Sequence, residues 1–319
     1  MLRKNWKTVL CLLLCMGFLT GCAAAEKENS YSTENTVTFT DALGREVTVA
    51  QPQRTAALLG SFAEIWCLAG GEICASADDA WDDFELELPE GTVNLGKTKE
   101  LSLEKLFEAE PDFVIASANT RINLEWRDTL EAAAIPTAYF DVADFDDYLA
   151  MLKICTDITG RKELYEKNGL EIQKQVETVM AQSRERIEKT GETPTVLVLR
   201  ASASSIRAKN SVGNVLGEML YSLGCINIAD DDDTLLENLS IERIIQADPD
   251  EIFFVQLGDD SEGAAKNIEN LLEDPMWAEL TAVKEGRVHI MDKRLYNLKP
   301  NARWGEAYEA LADILYPTS

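Results

Sequence analysis

Histidine is almost missing: His289 is the one imidazole among 319 residues. That argues against a bare zinc or manganese site, which several imidazoles would ligate. A Ser-His-Asp arrangement would have to run through that one residue, and no Gly-x-Ser-x-Gly elbow is present to present a nucleophile. Positive charge is scarce as well. Lys and Arg number 30 against 56 Asp and Glu, a net charge of -26. Binding to nucleic acid, which depends on cations neutralising phosphates, does not fit that balance, and neither does adsorption to anionic lipid by charge alone. No apolar run approaches the ~18 residues of a membrane-spanning helix. Cysteine is sparse. Cys67, Cys74, Cys155 and Cys225 lie in apolar stretches, where buried inert thiols are expected; a Cys67–Cys74 disulfide is left open by the spacing.

What is present begins at the N-terminus. Arg3, Lys4 and Lys7 precede the apolar run Val9 to Leu19, the size of a signal-peptide core. The run ends in Leu19-Thr20-Gly21-Cys22, which resembles the lipobox of bacterial lipoproteins. The resemblance implies a signal peptide over 1–21, cleavage before Cys22 and acylation of Cys22. The protein would then be lipid-anchored and extracytoplasmic, on the outer face of the cytoplasmic membrane or in the periplasm. Residues 22–36, small and polar without periodicity, read as a flexible tether.

The remaining chain is built twice. Leu101-Ser-Leu-Glu-Lys-Leu-Phe-Glu-Ala-Glu-Pro-Asp-Phe-Val-Ile115 returns as Leu239-Ser-Ile-Glu-Arg-Ile-Ile-Gln-Ala-Asp-Pro-Asp-Glu-Ile-Phe253. Each copy predicts a Ser N-cap (Ser102, Ser240), a short helix stopped at Ala-x-Pro-Asp, and a buried strand. A looser pair aligns Glu64 and Gly70 with Glu218 and Gly224, each following a strand. Strands are expected at 55–59, 72–75, 112–117 and 137–141, then at 195–200, 251–256 and 287–291, alternating with helices. The fold class is therefore α/β: two Rossmann-like lobes with mainly parallel sheets. A hairpin pairing Val37 and Phe39 with Val47 and Val49 precedes the first. After Gly160 a Glu-, Lys-, Gln- and Arg-rich stretch predicts one long backbone helix to 189, roughly 40 Å. Such a spine favours small rocking over wide closure. The expected divisions are a lobe over 37–157, a connecting helix over 158–190 and a second lobe over 191–319.

These features together resemble the binding proteins of ABC importers for ferric siderophores, haem and cobalamin, whose lobes are joined by one backbone helix. The resemblance rests on the ordered set of Thr40-Asp-Ala-Leu-Gly-Arg-Glu-Val47, the Pro-Asp-strand units, the spine and Lys299-Pro-Asn-Ala-Arg-Trp304, and it covers the mature chain. It implies a monomeric solute-binding component that delivers an iron complex to a permease served by a cytoplasmic ATPase. A ferric siderophore is the first expectation, with haem or cobalamin next. Neither catalytic residues nor a resident cofactor are implied. It also implies one permease-docking Glu per lobe, here Glu104 and Glu242. A Glu in a first helical turn also suits the helix dipole.

Ligands of α/β sheets sit beyond the carboxyl ends of the strands. The loops there hold Ser61, Phe62, Trp81, Arg121, Arg200, Arg207, Lys209 and Tyr296, the candidate ligand-binding residues. The cations suit an anionic ligand and the aromatics a flat one. Arg303 is expected to anchor a C-terminal helix carrying Trp304, Tyr308, Leu311 and Leu315. His289 reads as a packed strand residue. The acidic runs 78–83 and 230–233 read as solvated turns.

Other function classes have little to build on. Gly91-Thr-Val-Asn-Leu-Gly-Lys-Thr98 spells the phosphate-loop pattern, but no buried strand precedes it and the helix signal waits for Ser102. It is read as a chance match. A sensor or scaffold lipoprotein on the same fold is the alternative, and an exported hydrolase a weaker one.

Overall fold

The computed structural model describes residues 36–317 except 259. The expected signal peptide, Cys22 and all of the tether but Thr36 lie outside the described residues. Two short strands open the fold: β1 (Val37–Thr40) and β2 (Glu46–Val49) pair antiparallel, with Val37 opposite Val49 and Phe39 opposite Val47. Asp41 fixes their turn and ties it to the first lobe. It accepts from the Leu43 and Arg45 amides at 3.0 Å, from the Arg45 guanidinium, and from the Tyr139 amide.

The first lobe is a parallel sheet of β3 (Thr55–Ala57), β4 (Ile73–Ser76), β5 (Val93–Asn94), β6 (Phe113–Ser117) and β7 (Thr137–Phe140), in the order β5-β4-β3-β6-β7. The second has β8 (Thr195–Ala201), β10 (Ile226–Asn227), β11 (Glu251–Gln256) and β12 (Val288–Met291), parallel in the order β10-β8-β11-β12. One antiparallel strand, β9 (Ile206–Lys209), pairs with the C-terminal half of β8. The sequence pattern reads 200–209 as a loop; the strand differs from that expectation because its polar face carries Arg207 and Lys209.

The repeat has a physical reason. Both short helices, Leu103–Glu108 and Ile241–Ala247, are followed by a left-handed residue, Glu110 (φ 46°) and Asp248 (φ 41°). Pro111 and Pro249 come next, where a helix cannot continue. The Asp after each Pro then ties down the start of the lobe's first strand. Asp112 accepts from the amides of Gln53 (2.8 Å) and Arg54 (2.9 Å), just before β3. Asp250 accepts from the Thr195 amide (2.8 Å) and hydroxyl (2.7 Å), at the head of β8. The Ser caps differ: Ser102 accepts from the Lys105 amide, whereas the Ser240 hydroxyl donates to Glu242 at 3.0 Å.

One buried cluster spans both lobes. Phe113, Ile115 and Phe140 of the first sheet share it with Val196, Val198 and Phe253 of the second. The C-terminal helix Trp304–Leu315 also contributes, through Trp304, Tyr308, Leu311 and Leu315. Arg303, just before that helix, pairs with Glu306 in its first turn at 2.6 Å.

The spine is not a single α-helix. It runs as Lys162–Tyr165, a π-helical turn Glu166–Leu170, then Glu171–Thr190, ending at Gly191 in the left-handed region (φ 70°). The widened turn gives polar groups to the first lobe. The Asn168 carbonyl accepts from the Tyr148 hydroxyl at 2.6 Å, and its side chain donates to the Leu68 carbonyl at 2.8 Å. Gly169 lies against Leu149 and Tyr165, where a Cβ would come to 3.2 Å from each.

Candidate solute-binding site

After β12 the chain turns back toward the first lobe. Asp292 caps the short helix Lys293–Tyr296, accepting from the Leu295 amide at 2.9 Å. From that helix Lys293 reaches Asp83 at 2.7 Å, while Arg294 pairs with Glu64 and lies 4.2 Å over the Phe84 ring. Asn301, fully buried at φ 54°, donates to the Ser61 carbonyl at 3.0 Å and also to Glu64. Burial pushes the Glu64 carboxyl up, with Arg294 and Asn301 opposing. Residues 293–301 thus tie the second lobe to the loops beyond β3 and β4.

The C-terminal half of β8 carries the cations. Arg200 pairs across the ladder with Arg207 of β9, and Lys209 lies opposite Val198. Strand alternation puts Arg200, Arg207 and Lys209 on one face, while Ile206 and Ala208 point to the other, apolar, side. Lys299, past β12, is buried; Asp141 beyond β7, Asp147 and Asp144 favour its charge, while burial and Arg200 oppose it. Its ammonium is pushed down chiefly by burial. Burial also depresses Lys209, with Arg200 and Arg207 adding to the effect, and depresses Arg200. The Arg200 Nε is buried without a hydrogen-bond partner. Among the described residues, none of these four side chains makes an ion pair, although Arg45, Arg243, Arg287, Arg294 and Arg303 each reach a carboxylate.

The other expected site residues are scattered. Ser61 is buried in the first turn of the helix Gly60–Leu68. Phe62, in the same turn, packs edge-on to Phe140 inside the core and offers no face to a ligand. Tyr296 is also a core residue, its hydroxyl donating to the Ala307 carbonyl at 2.9 Å. Trp81 is partly buried against the shared cluster. Arg121 is 83% exposed and paired with Glu125 one helical turn on. Glu104 and Glu242 are exposed, in the first turns of the repeated helices.

The acidic runs are more structured than solvated turns. Residues 79–82 form a helical turn, and the Asp79 carboxylate accepts from the Gly60 amide at 2.9 Å. Burial raises it to about 6. Asp230 accepts from the Ser211 amide and hydroxyl, and Asp232 caps the helix Asp233–Asn238 while pairing with Arg243. Lys299, Glu64, Arg294, Asn301 and Asp79 were not among the expected site residues. Lys299, Arg294 and Asp79 had a signal in sequence, because the stretches 293–299 and 77–81 each follow an expected strand.

His289 stacks on Phe253 (ring centroids 5.0 Å apart) and meets Glu251 at 2.6 Å, a packed strand residue. All four described cysteines are free, with burial raising Cys67 to about 11 and Cys225 to about 12. The phosphate-loop spelling falls across β5 and a turn at Gly96, and the next helix starts at Leu103. A surface groove of about 530 Å3 lies between the spine and the C-terminal helix, lined by Lys174, Gln182, Glu309 and Asp313. It shares no residue with the strand ends.

The profile of the family described as "Periplasmic binding protein" matches residues 56–295. The chain belongs to the periplasmic binding protein family. It is similar to YhfQ of Bacillus subtilis (strain 168), provisionally named an ABC transporter substrate-binding lipoprotein, at 23% identity over 92% of this chain and 93% of YhfQ. YfmC of the same organism, named an Fe(3+)-citrate-binding protein, is 24% identical over 88% of this chain and 87% of its own. Among solved structures, Staphylococcus aureus SirA complexed with staphyloferrin B superposes with a TM-score of 0.66 at 20% identity. That match covers 88% of this chain and 97% of SirA. At such identity the likeness shows the fold: two α/β lobes of the binding-protein type.

Proposed function

We propose that this periplasmic binding protein captures an iron complex at the meeting of its two lobes and delivers it to an ABC permease powered by a separate ATPase. The observation that carries the reading is the convergence of both lobes' strand ends on residues 293–301, beside Arg200, Arg207 and Lys209, which make no ion pair among the described residues. Ligands of parallel α/β sheets bind at such ends. The B. subtilis relative named for ferric citrate supports that solute class, and the one named for ABC-transporter substrate binding supports the transport role. In this reading Cys22 carries the lipid anchor and the protein works as an extracytoplasmic monomer.

Glu104 and Glu242 serve as docking acids, one per lobe. Their support is equivalence: each is exposed, in the same turn of a repeated helix, followed by the same Ala-x-Pro-Asp anchor. Exposed acids in matching places on two lobes give a charge-steered register for a basic partner. Glu104→Ala and Glu242→Ala, separately and together, should leave binding of a ferric complex unchanged and abolish its uptake in cells. Uptake at the parental rate by the double variant would remove the docking assignment.

A further inference from the structure

The distribution of ion pairs bears on the chemistry of the ligand. Arg200, Arg207 and Lys209 make no ion pair among the described residues, and the Arg200 Nε is buried without a hydrogen-bond partner there. Other described Arg residues that reach no carboxylate are held in other ways: Arg54 and Arg184 donate to backbone carbonyls, and Arg186 lies over the Tyr316 ring.

Register makes the arrangement more costly. Arg200 and Arg207 are directly opposed across an antiparallel pair. Side chains so placed have Cβ atoms about 4.5–5.5 Å apart, and like charges there repel; the diagonal neighbour, here Lys209, stands about 7–8 Å away. Three cations therefore share one face within the span of a small molecule. No carboxylate pairs with these three among the described residues, so their mutual repulsion stands uncompensated. It is relieved when a molecule with several negative groups lies across the face. Arginine's planar fork matches a carboxylate through two parallel hydrogen bonds.

We infer that this face of β8 and β9 is the specificity-determining half of the site, that it selects a polyanionic, carboxylate-bearing ferric chelate over a neutral one, and that Arg200 anchors it. The inference rests on the iron-complex reading above and narrows it. The first lobe presents Asp141 near Lys299, so the negative end of the chelate belongs to the second lobe.

Calorimetric titration of the full chain tests this with ferric citrate, a neutral ferric trihydroxamate and iron-free citrate. Ferric citrate should bind best, and added salt should weaken it. Arg200→Leu should weaken it about tenfold to a hundredfold, the range for a hydrogen bond to a charged group. The ligand-free variant should melt no lower than the parent, because a repelled cation has been removed. Arg200→Lys keeps the charge but loses the fork, and should still weaken binding about tenfold. If the neutral trihydroxamate binds as tightly and Arg200→Leu does not affect it, the inference fails while the iron reading stands. If iron-free citrate binds as well as ferric citrate, the iron reading fails while the polyanion subsite stands. If no anionic chelate binds and Arg200→Leu lowers the melting temperature, Arg200 is a structural residue and the inference is overturned.

Discussion

Asp79 and Arg200 both hold charge in places that disfavour it, for different reasons. Arg200 faces other cations at the strand ends. Asp79 is raised to about 6 by burial, and Asp83 and Asp78 add to the rise while the Gly60 amide opposes it. Its folded value lies above the ordinary 3.8, so between those values the folded state binds the proton more tightly than the unfolded chain. By linkage its contribution to stability falls as pH rises from about 4 to 6, and above that the charge is a cost. Asp79→Asn keeps an oxygen that can accept from Gly60 and drops the charge. In thermal melts it should be at least as stable as the parent at pH 7.5, and it should lose that part of the pH slope. A lower melting temperature at pH 7.5 would show that the charge itself holds the Gly60 turn. Residue roles were the least legible level in sequence. Asp79 is one of four Asp in six positions, and only its approach to Gly60 singles it out. Phe62 looked like a loop aromatic, but the helix begins at Gly60 and turns its ring onto Phe140.

Elements were more legible, because buried parallel strands are short apolar runs bounded by turn residues. Every expected strand is present, with ends shifted by at most a residue or two. The strands that escaped are β5, β9 and β10. Two are only two residues long, held by single neighbours in the sheet. The third, Ile206-Arg-Ala-Lys209, does alternate, but its polar face carries cations and so imitates a loop. The Pro-Asp unit shows why a repeat was visible at all. Each Asp holds backbone at the head of its lobe's first strand, a demand the two lobes share. Asp250→Ala leaves the Thr195 amide and hydroxyl without their acceptor and should cost about 1–2 kcal/mol, read as a lower urea midpoint. Asp112→Ala should cost a similar amount, by losing the Gln53 and Arg54 amides. An unchanged midpoint in both would remove the anchoring role.

At the scale of the whole molecule, the doubling of the chain announced two lobes, and the polar stretch after Gly160 announced their connection. Sequence did not announce the second connection. Lys293 meets Asp83, Arg294 meets Glu64 and Asn301 meets Ser61 across separations of 210, 230 and 240 residues. No local pattern encodes such pairs. Their consequence is mechanical: the lobes are joined by the spine, by residues 293–301, and by a shared buried cluster. Three links favour a preformed site with modest closure over a wide hinge.

The account stands on that site binding an iron complex. The most direct measurement is the melting temperature of the purified protein with ferric citrate, ferric siderophores, haem and cobalamin, each beside its iron-free or metal-free counterpart and beside unrelated sugars and peptides. A ligand at about a hundred times its dissociation constant adds about 2.7 kcal/mol of stability. The account predicts a clear rise with at least one iron complex, larger than with the same chelator lacking iron. A cooperative melt that no iron complex raises, or one that sugars or peptides raise instead, would contradict it.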